Sequence, residues 1–179
     1  MIYLIRHGEA ASSWGEHPDP GLSDAGHEQA AAVAATLSSL GIERALTSPM
    51  ARCQETAQAF ANVSGLDLKV ESNVTEIPTP SDVEDRVPWL RNLMSGAWTD
   101  APQLVQTWRH HLIRTVSQLP RNTVVFTHFV AINAIVGHVE ETNTVTVFRP
   151  NYCSLTKLDA QSGRLRLVAR GRSLETKVL

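Results

Sequence analysis

The stretch Met1-Ile2-Tyr3-Leu4-Ile5-Arg6-His7-Gly8-Glu9 decides the fold. An apolar, β-branched run, Ile2 to Ile5, ends abruptly in an Arg-His-Gly-Glu cluster and reads as a strand buried on both faces. Such strands belong inside parallel sheets, and ligands of open α/β sheets gather at the strands' carboxyl ends. Arg6 and His7 are therefore placed at a ligand edge. Gly8 lets the backbone turn close to a ligand. Arginine supplies a planar fork of donors matched to phosphate, and a neutral imidazole is a competent nucleophile near pH 7. The pair suggests phosphoryl transfer through histidine.

Outward from this stretch, the chain of 179 residues fits a single domain over 1–179. With 42% hydrophobic and 19% charged residues it has an ordinary globular composition, which excludes disorder. No apolar run reaches transmembrane length, so no membrane partner is expected. The N-terminus carries no basic region or cleavage site, which predicts a cytoplasmic protein. A net charge of −2 argues against nucleic acid as a partner. Cys53 and Cys153 are read as buried thiols, and the seven histidines show no metal-ligand spacing. Neither a cofactor nor a metal is expected, and the oligomeric state is left open.

After a polar, Pro-rich loop from Ala10 to Gly21, Ser23 caps a helix over Ala25–Leu40, and Ile42 to Thr47 follows as a strand. Ser48-Pro49 should cap and open a helix reaching about Val63, with Arg52 in its first turn. Read alone, Arg52 fits a solvated helix face equally well. Leu66 to Val70 reads as a third strand, Asp82–Met94 and Ala101–Leu119 as helices, the second capped by Asp100. The irregular stretch 71–108 is expected to form a small helical cap over the site. Thr123 to Thr127 is a buried strand that ends in His128, and Phe129 to Gly137 is a buried helix. A second histidine thus stands where a helix N-terminus attracts anions, although a core histidine is an equal reading. Val145–Phe148, Ser154–Leu158 and Leu165–Ala169 complete the strands.

Four segments together resemble the histidine phosphatase superfamily, branch 1, the phosphoglycerate-mutase-like proteins. They are Arg6-His7-Gly8-Glu9; Leu22-Ser23-Asp24-Ala25-Gly26-His27-Glu28-Gln29-Ala30; Ser48 to Ala57 with Arg52; and the late strand that ends in His128. The resemblance implies an α/β fold, a three-layer αβα sandwich with a mainly parallel sheet. It also implies His7 as a transiently phosphorylated nucleophile, with Arg6, Arg52 and His128 as the phosphate pocket. Glu76 is implied as the proton donor, with Glu71 as competitor. Two departures stand out. Phe129 occupies a position where glycine usually follows the second histidine, and is expected to narrow the pocket floor. Ser13 stands where mutases often carry asparagine, and can still bind substrate through one hydrogen bond.

The expected activity is hydrolysis of a small-molecule phosphate monoester without metal, helped by the positive charge of two arginines and a protonated His128. A phosphoglycerate-type mutase is the alternative, followed by a phosphohistidine phosphatase acting on a protein or a non-catalytic phosphate-binding module. Against the mutase stands the absence of lysine from Glu71 to Thr156, where Arg86, Arg91, Arg109, Arg114, Arg121 and Arg149 are scattered. The rim is expected to offer Trp14, Trp89, Trp98 and Phe129 to an apolar leaving group, although tryptophans at helical spacing are more often core.

Overall fold

The computed structural model describes residues 1–12, 17–161 and 164–173. Its sheet has six strands: β1 (Ile2–Arg6), β2 (Arg44–Thr47), β3 (Leu68–Val70), β4 (Thr123–Thr127), β5 (Leu155–Gln161) and β6 (Arg164–Ala169). They lie in the order β3-β2-β4-β1-β5-β6. The first four pair in parallel, while β5 and β6 run antiparallel as a hairpin on the far side of β1. Five α-helices connect them among the described residues: α1 (Asp24–Leu37), α2 (Ala51–Ser64), α3 (Arg86–Ser95), α4 (Gln103–Ser117) and α5 (Phe129–Val139).

Alternation along β1 explains the three layers. Tyr3 and Ile5 point to a core shared with Val33, Leu37, Ala57 and Phe60 of α1 and α2. Ile2 and Leu4 point to the opposite core, shared with Leu90, Val105, Leu112 and Ile132 of α3, α4 and α5. Fully burying each such side chain contributes about 1.5–3 kcal/mol, which holds β1 in the sheet interior. Register then fixes the chemistry. β1 pairs with β4 so that Arg6 stands opposite Thr127. The next residues, His7 and His128, therefore leave the sheet side by side.

Several elements depart from the sequence expectations, each for an identifiable reason. Helix α2 begins at Ala51, with Met50 at the N-cap and no side-chain cap of its own. The Asp19 carboxylate accepts the Ala51 N–H at 2.9 Å, and Ser48 Oγ accepts the Met50 N–H at 3.3 Å. Helix α3 starts at Arg86, capped by Asp85, and α4 starts after Pro102, so Asp100 ends a short 3₁₀ turn. Val145–Phe148 is no strand. The N–H groups of Val147 and Phe148 are taken by Asn133 Oδ1 at 2.8 and 3.1 Å, and a side chain thus replaces a strand partner. From the stretch 71–108, Val74, Ile77, Leu93, Trp98 and Trp108 are buried in the same core as Ile2 and Leu4. Trp98 is accordingly a core residue and not part of a rim, and Trp89 packs against that core. Trp14 lies outside the described residues. Among the described residues, no helix is long and apolar enough to cross a membrane.

Candidate active site

The two histidines at the sheet edge are the base of the site, their ring centroids 5.3 Å apart. The backbone N–H of His7 donates to Thr127 O at 3.0 Å, tying β1's exit to that of β4. Nδ1 of His7 lies 2.7 Å from Gly8 O. A carbonyl can only accept, so Nδ1 carries the hydrogen and Nε2 keeps its lone pair. Arg52 Nε donates to that lone pair at 3.3 Å. Burial first, and then the Arg52 and Arg6 charges, depress the His7 pKa to about 3. His7 is neutral throughout the physiological range.

Arg52 reaches back from the first turn of α2 and holds the centre. Its Nη2 is 3.3 Å from His128 Nδ1 and 3.9 Å from Glu76 Oε2, and its Nη1 is 3.8 Å from Asp19 Oδ1. With Nδ1 of His128 accepting from Arg52, the imidazole hydrogen sits on Nε2 and is donated to Ser48 Oγ at 2.7 Å. Burial holds the His128 pKa well below its ordinary value, reinforced by His7, Arg52, Arg6 and Arg86. The expected imidazolium is therefore corrected: His128 is neutral, because a buried cation beside two arginines is unfavourable. His128 is also fully buried, behind the cavity wall.

Glu76 closes the other side. Its Oε1 accepts the Ile77 N–H at 3.0 Å, and its Oε2 lies 3.6 Å from His128 Nδ1. Burial raises the carboxyl pKa against the opposing pull of the Ile77 N–H and of Arg52, Arg86 and Arg6. Glu71 is elsewhere in effect. Its carboxylate caps a 3₁₀ turn by accepting from Asn73 N at 3.1 Å, and it does not line the cavity.

These groups face a cavity of about 910 Å³ lined by Arg6, His7, Arg52 and Glu76. Arg86 and Tyr152 also line it. Arg86 was legible only as one of several scattered arginines. Here Thr79 Oγ1 accepts from its Nε at 2.9 Å and steadies it at the wall. Tyr152 had no signal in the sequence, since it follows the stretch misread as a strand. Its ring lies 4.0 Å from Arg6 Cζ. Arg109, Arg114 and Arg121 line no part of this cavity, and Arg91 and Arg149 line a separate groove.

Two residues expected at the ligand line no part of this cavity. Gly8 does not line the cavity: a Cβ there would meet Gly26 O of α1 at 2.7 Å, so the glycine serves backbone packing. Its N–H donates to Thr56 Oγ1 at 3.0 Å. Phe129 does not floor the cavity either. Its ring lies 5.4 Å from Arg6 Cζ, and it lines the separate groove with Met94 and Arg149. Ser13 lies outside the described residues.

The Leu22–Ala30 segment supports the Arg6-His7 turn from below. Ser23 Oγ accepts Gly26 N–H at 3.0 Å and donates to Glu9 Oε1 at 2.8 Å, while Gln29 Oε1 accepts Glu9 N–H at 2.9 Å. Among the described residues, no cluster of three or more His, Cys, Asp or Glu side chains could hold a metal ion.

A mostly parallel sheet thus brings two neutral histidines, three arginines and a protonatable carboxyl together at the carboxyl ends of its strands. The chain belongs to branch 1 of the histidine phosphatase superfamily, whose family model matches residues 2–172. It is accordingly an enzyme of the histidine phosphatase class. Among curated proteins it is 25% identical over 200 residues to the Salmonella paratyphi B protein named probable phosphoglycerate mutase GpmB, covering 98% of this chain and 91% of the relative. The mycobacterial glucosyl-3-phosphoglycerate phosphatase, solved with VO3, shares its fold with a TM-score of 0.75 at 21% identity, over 96% of this chain and 98% of that one. Phosphoserine phosphatase from Entamoeba histolytica, solved with 3-phosphoglyceric acid, has a TM-score of 0.74 at 19% identity, over 96% of each chain.

Proposed function

We propose that this enzyme is a metal-independent phosphomonoesterase that works through a phosphohistidine on His7 and acts on a small phosphorylated metabolite. The observation that carries the reading is the 2.7 Å contact of His7 Nδ1 with Gly8 O, because it leaves Nε2 as a fixed nucleophile between two arginines. In the first step Nε2 attacks phosphorus, the P–O bond to the leaving group breaks, and the Glu76 carboxyl gives its proton to the departing oxygen. In the second, the Glu76 carboxylate takes a proton from water as that oxygen attacks phosphorus, the P–N bond breaks and phosphate leaves. Arg6 and Arg52 bind the equatorial oxygens. On binding, the long Arg52–His7 hydrogen bond is replaced by an Arg52–phosphate bond. His128 adds a further donor once a dianion at Arg52 raises its pKa.

Glu76 is favoured over Glu71 as the acid because it is buried, protonatable and adjacent to Arg52 and His128. The stretch 71–108 acts as a cap that supplies Thr75, Glu76, Ile77 and Arg86 to the cavity wall within a single domain of residues 1–179. The free thiols of Cys53 and Cys153 fit the reducing cytoplasm.

One observation favours the mutase as second reading: Arg86 adds a cation to the cavity, as a substrate with two anionic ends would need. The protein-directed phosphohistidine phosphatase and the non-catalytic module have no such support, since a binder needs neither nucleophile nor acid. The test is phosphate release from a panel of phosphorylated metabolites in the presence of a chelator. Release by wild type and none by His7→Ala is expected. A panel with no hydrolysed member would overturn the reading.

A further inference from the structure

Arg6 is enclosed by a five-residue loop at the entry to β5. Arg6 Nη1 donates to Pro150 O at 3.0 Å, and the Arg6 carbonyl accepts the Cys153 N–H, also at 3.0 Å. The Arg6 N–H donates to Ser154 O at 3.4 Å. Between these anchors the Tyr152 ring lies flat enough to place Arg6 Cζ 4.0 Å from its centroid, and the same ring stands 6.0 Å from that of His7. Phe129 covers Arg6 more distantly, at 5.4 Å. The guanidinium is thus bounded by two aromatic rings.

The loop adopts an unusual backbone to achieve this. Cys153 has φ +51, in the left-handed region that a residue with a Cβ rarely enters. The turn is held by Ser154 N–H donating to Asn151 O at 3.1 Å and Tyr152 N–H donating to Asn151 Oδ1 at 2.8 Å. Asn151 N–H in turn donates to Arg172 O at 2.8 Å, which ties the loop to the segment after β6. A conformation that costs about 1–2 kcal/mol persists only where its surroundings over-determine it, and such residues gather at functional sites. Here the residue brought forward by the turn is Tyr152.

Placement of Arg6 matters because a planar guanidinium meets phosphate through two parallel N–H bonds, and a tilt of its plane breaks one of them. The hydrogen bond to Pro150 O fixes one nitrogen but leaves rotation about that contact. Arg6 Nε has no hydrogen-bond partner among the described residues. An aromatic face supplies the missing constraint: it attracts the cation and restricts its tilt without occupying the donors that a ligand needs.

We propose that Tyr152 is a positioning residue that acts through Arg6, its ring fixing the plane in which the guanidinium meets the phosphoryl group; the role rests on the reading of this cavity as a phosphoester site. The phenol also bears on the Arg6 charge through a hydrogen bond, and the phenylalanine variant separates that contribution from the ring's. Removal of Tyr152 weakens the hold on phosphate without changing which groups react.

The test measures inorganic phosphate binding by calorimetry and nitrophenyl phosphate turnover on the full-length enzyme, with melting curves as a check on folding. Tyr152→Leu is expected to weaken phosphate binding and lower kcat/KM by roughly tenfold, equivalent to about 1.4 kcal/mol. Tyr152→Phe recovers most of that loss. In an Arg6→Gln background, adding Tyr152→Leu costs nothing further. Tyr152→Gln carries the same expectation and serves if the leucine variant does not fold. Wild-type affinity in a folded leucine or glutamine variant, an additive double variant, or a phenylalanine variant as weak as leucine overturns the proposal. Failure of the parent reading is seen separately, as turnover by His7→Ala.

Discussion

The imidazole of His7 gives its Nδ1 hydrogen to the carbonyl oxygen of the very next residue, Gly8, 2.7 Å away. The acceptor is main chain, so it cannot rotate away or change protonation. The tautomer is therefore set by the turn that follows β1, and the side that faces Arg52 is always the lone pair.

If Nε2 is the nucleophile, His7→Ala abolishes turnover, by at least about a thousandfold on the scale of lost covalent catalysis. Acid quenching of wild type during turnover should yield a phosphoenzyme that is labile in acid and stable in base. Comparable rates for wild type and variant refute the assignment.

The same burial gives His7 a signature in stability. Its pKa falls from the usual 6.5 to about 3 on folding, so between these values the unfolded chain binds the extra proton. Stability is thus present above pH 6.5 and is lost as pH falls toward 3, with a limiting slope of about 1.4 kcal/mol per pH unit. Urea unfolding of wild type and His7→Gln at pH 7, 6 and 5 should show a shallower decline in the variant. Parallel declines contradict a neutral His7.

Glu76 carries the opposite sign. Its pKa is raised by burial, so the folded state holds the proton, and acid function is lost as pH climbs through that raised value. Glu76→Gln should slow hydrolysis of alkyl phosphates far more than that of nitrophenyl phosphate, whose leaving group departs unprotonated, and should remove the alkaline limb. Glu71→Gln should match wild type on both. A larger defect from Glu71→Gln assigns the acid there.

At Gly26 a Cβ would collide with the Glu9 carbonyl, a backbone atom with little freedom to move. Gly26→Ala should destabilise by about 1–3 kcal/mol, the usual range for overpacking, and should lower kcat by disturbing the Arg6-His7 turn. Unchanged urea midpoint and kcat would show that the contact yields easily.

Incubation with 3-phosphoglycerate and catalytic 2,3-bisphosphoglycerate, followed by phosphorus NMR, separates the two readings of the cavity. Free phosphate is expected. Rapid 2-phosphoglycerate without phosphate release would make Arg86 part of a mutase site.

How far the sequence reached follows from what kind of interaction each residue makes. His7, His128 and Arg52 were legible because strand ends and first helical turns are fixed by local pattern, and the parallel register of β1 with β4 does the rest. Gly8 was legible as a necessary glycine but with the wrong neighbour, since only the packed fold shows α1 pressing against it. Val145–Phe148 has the composition of a strand, yet its N–H groups are satisfied by Asn133, a long-range contact invisible to periodicity. Tyr152 follows that segment and depends on the left-handed turn at Cys153, a residue type that does not announce one. The neutral state of His128 is a collective property of its burial and of the charges around it.

The position of β1 in the sheet bears on how the protein is made. Its parallel partner begins at Thr123 and its antiparallel partner at Leu155, so β1 has no strand neighbour until more than a hundred further residues have been added. At about 5–20 residues per second, β1 waits on the order of ten seconds as an unpaired and mostly apolar segment. During that interval α1 and α2 can shelter only the Tyr3–Ile5 face. The nascent chain is therefore most exposed to misassembly at the very strand that carries the Arg6-His7 turn.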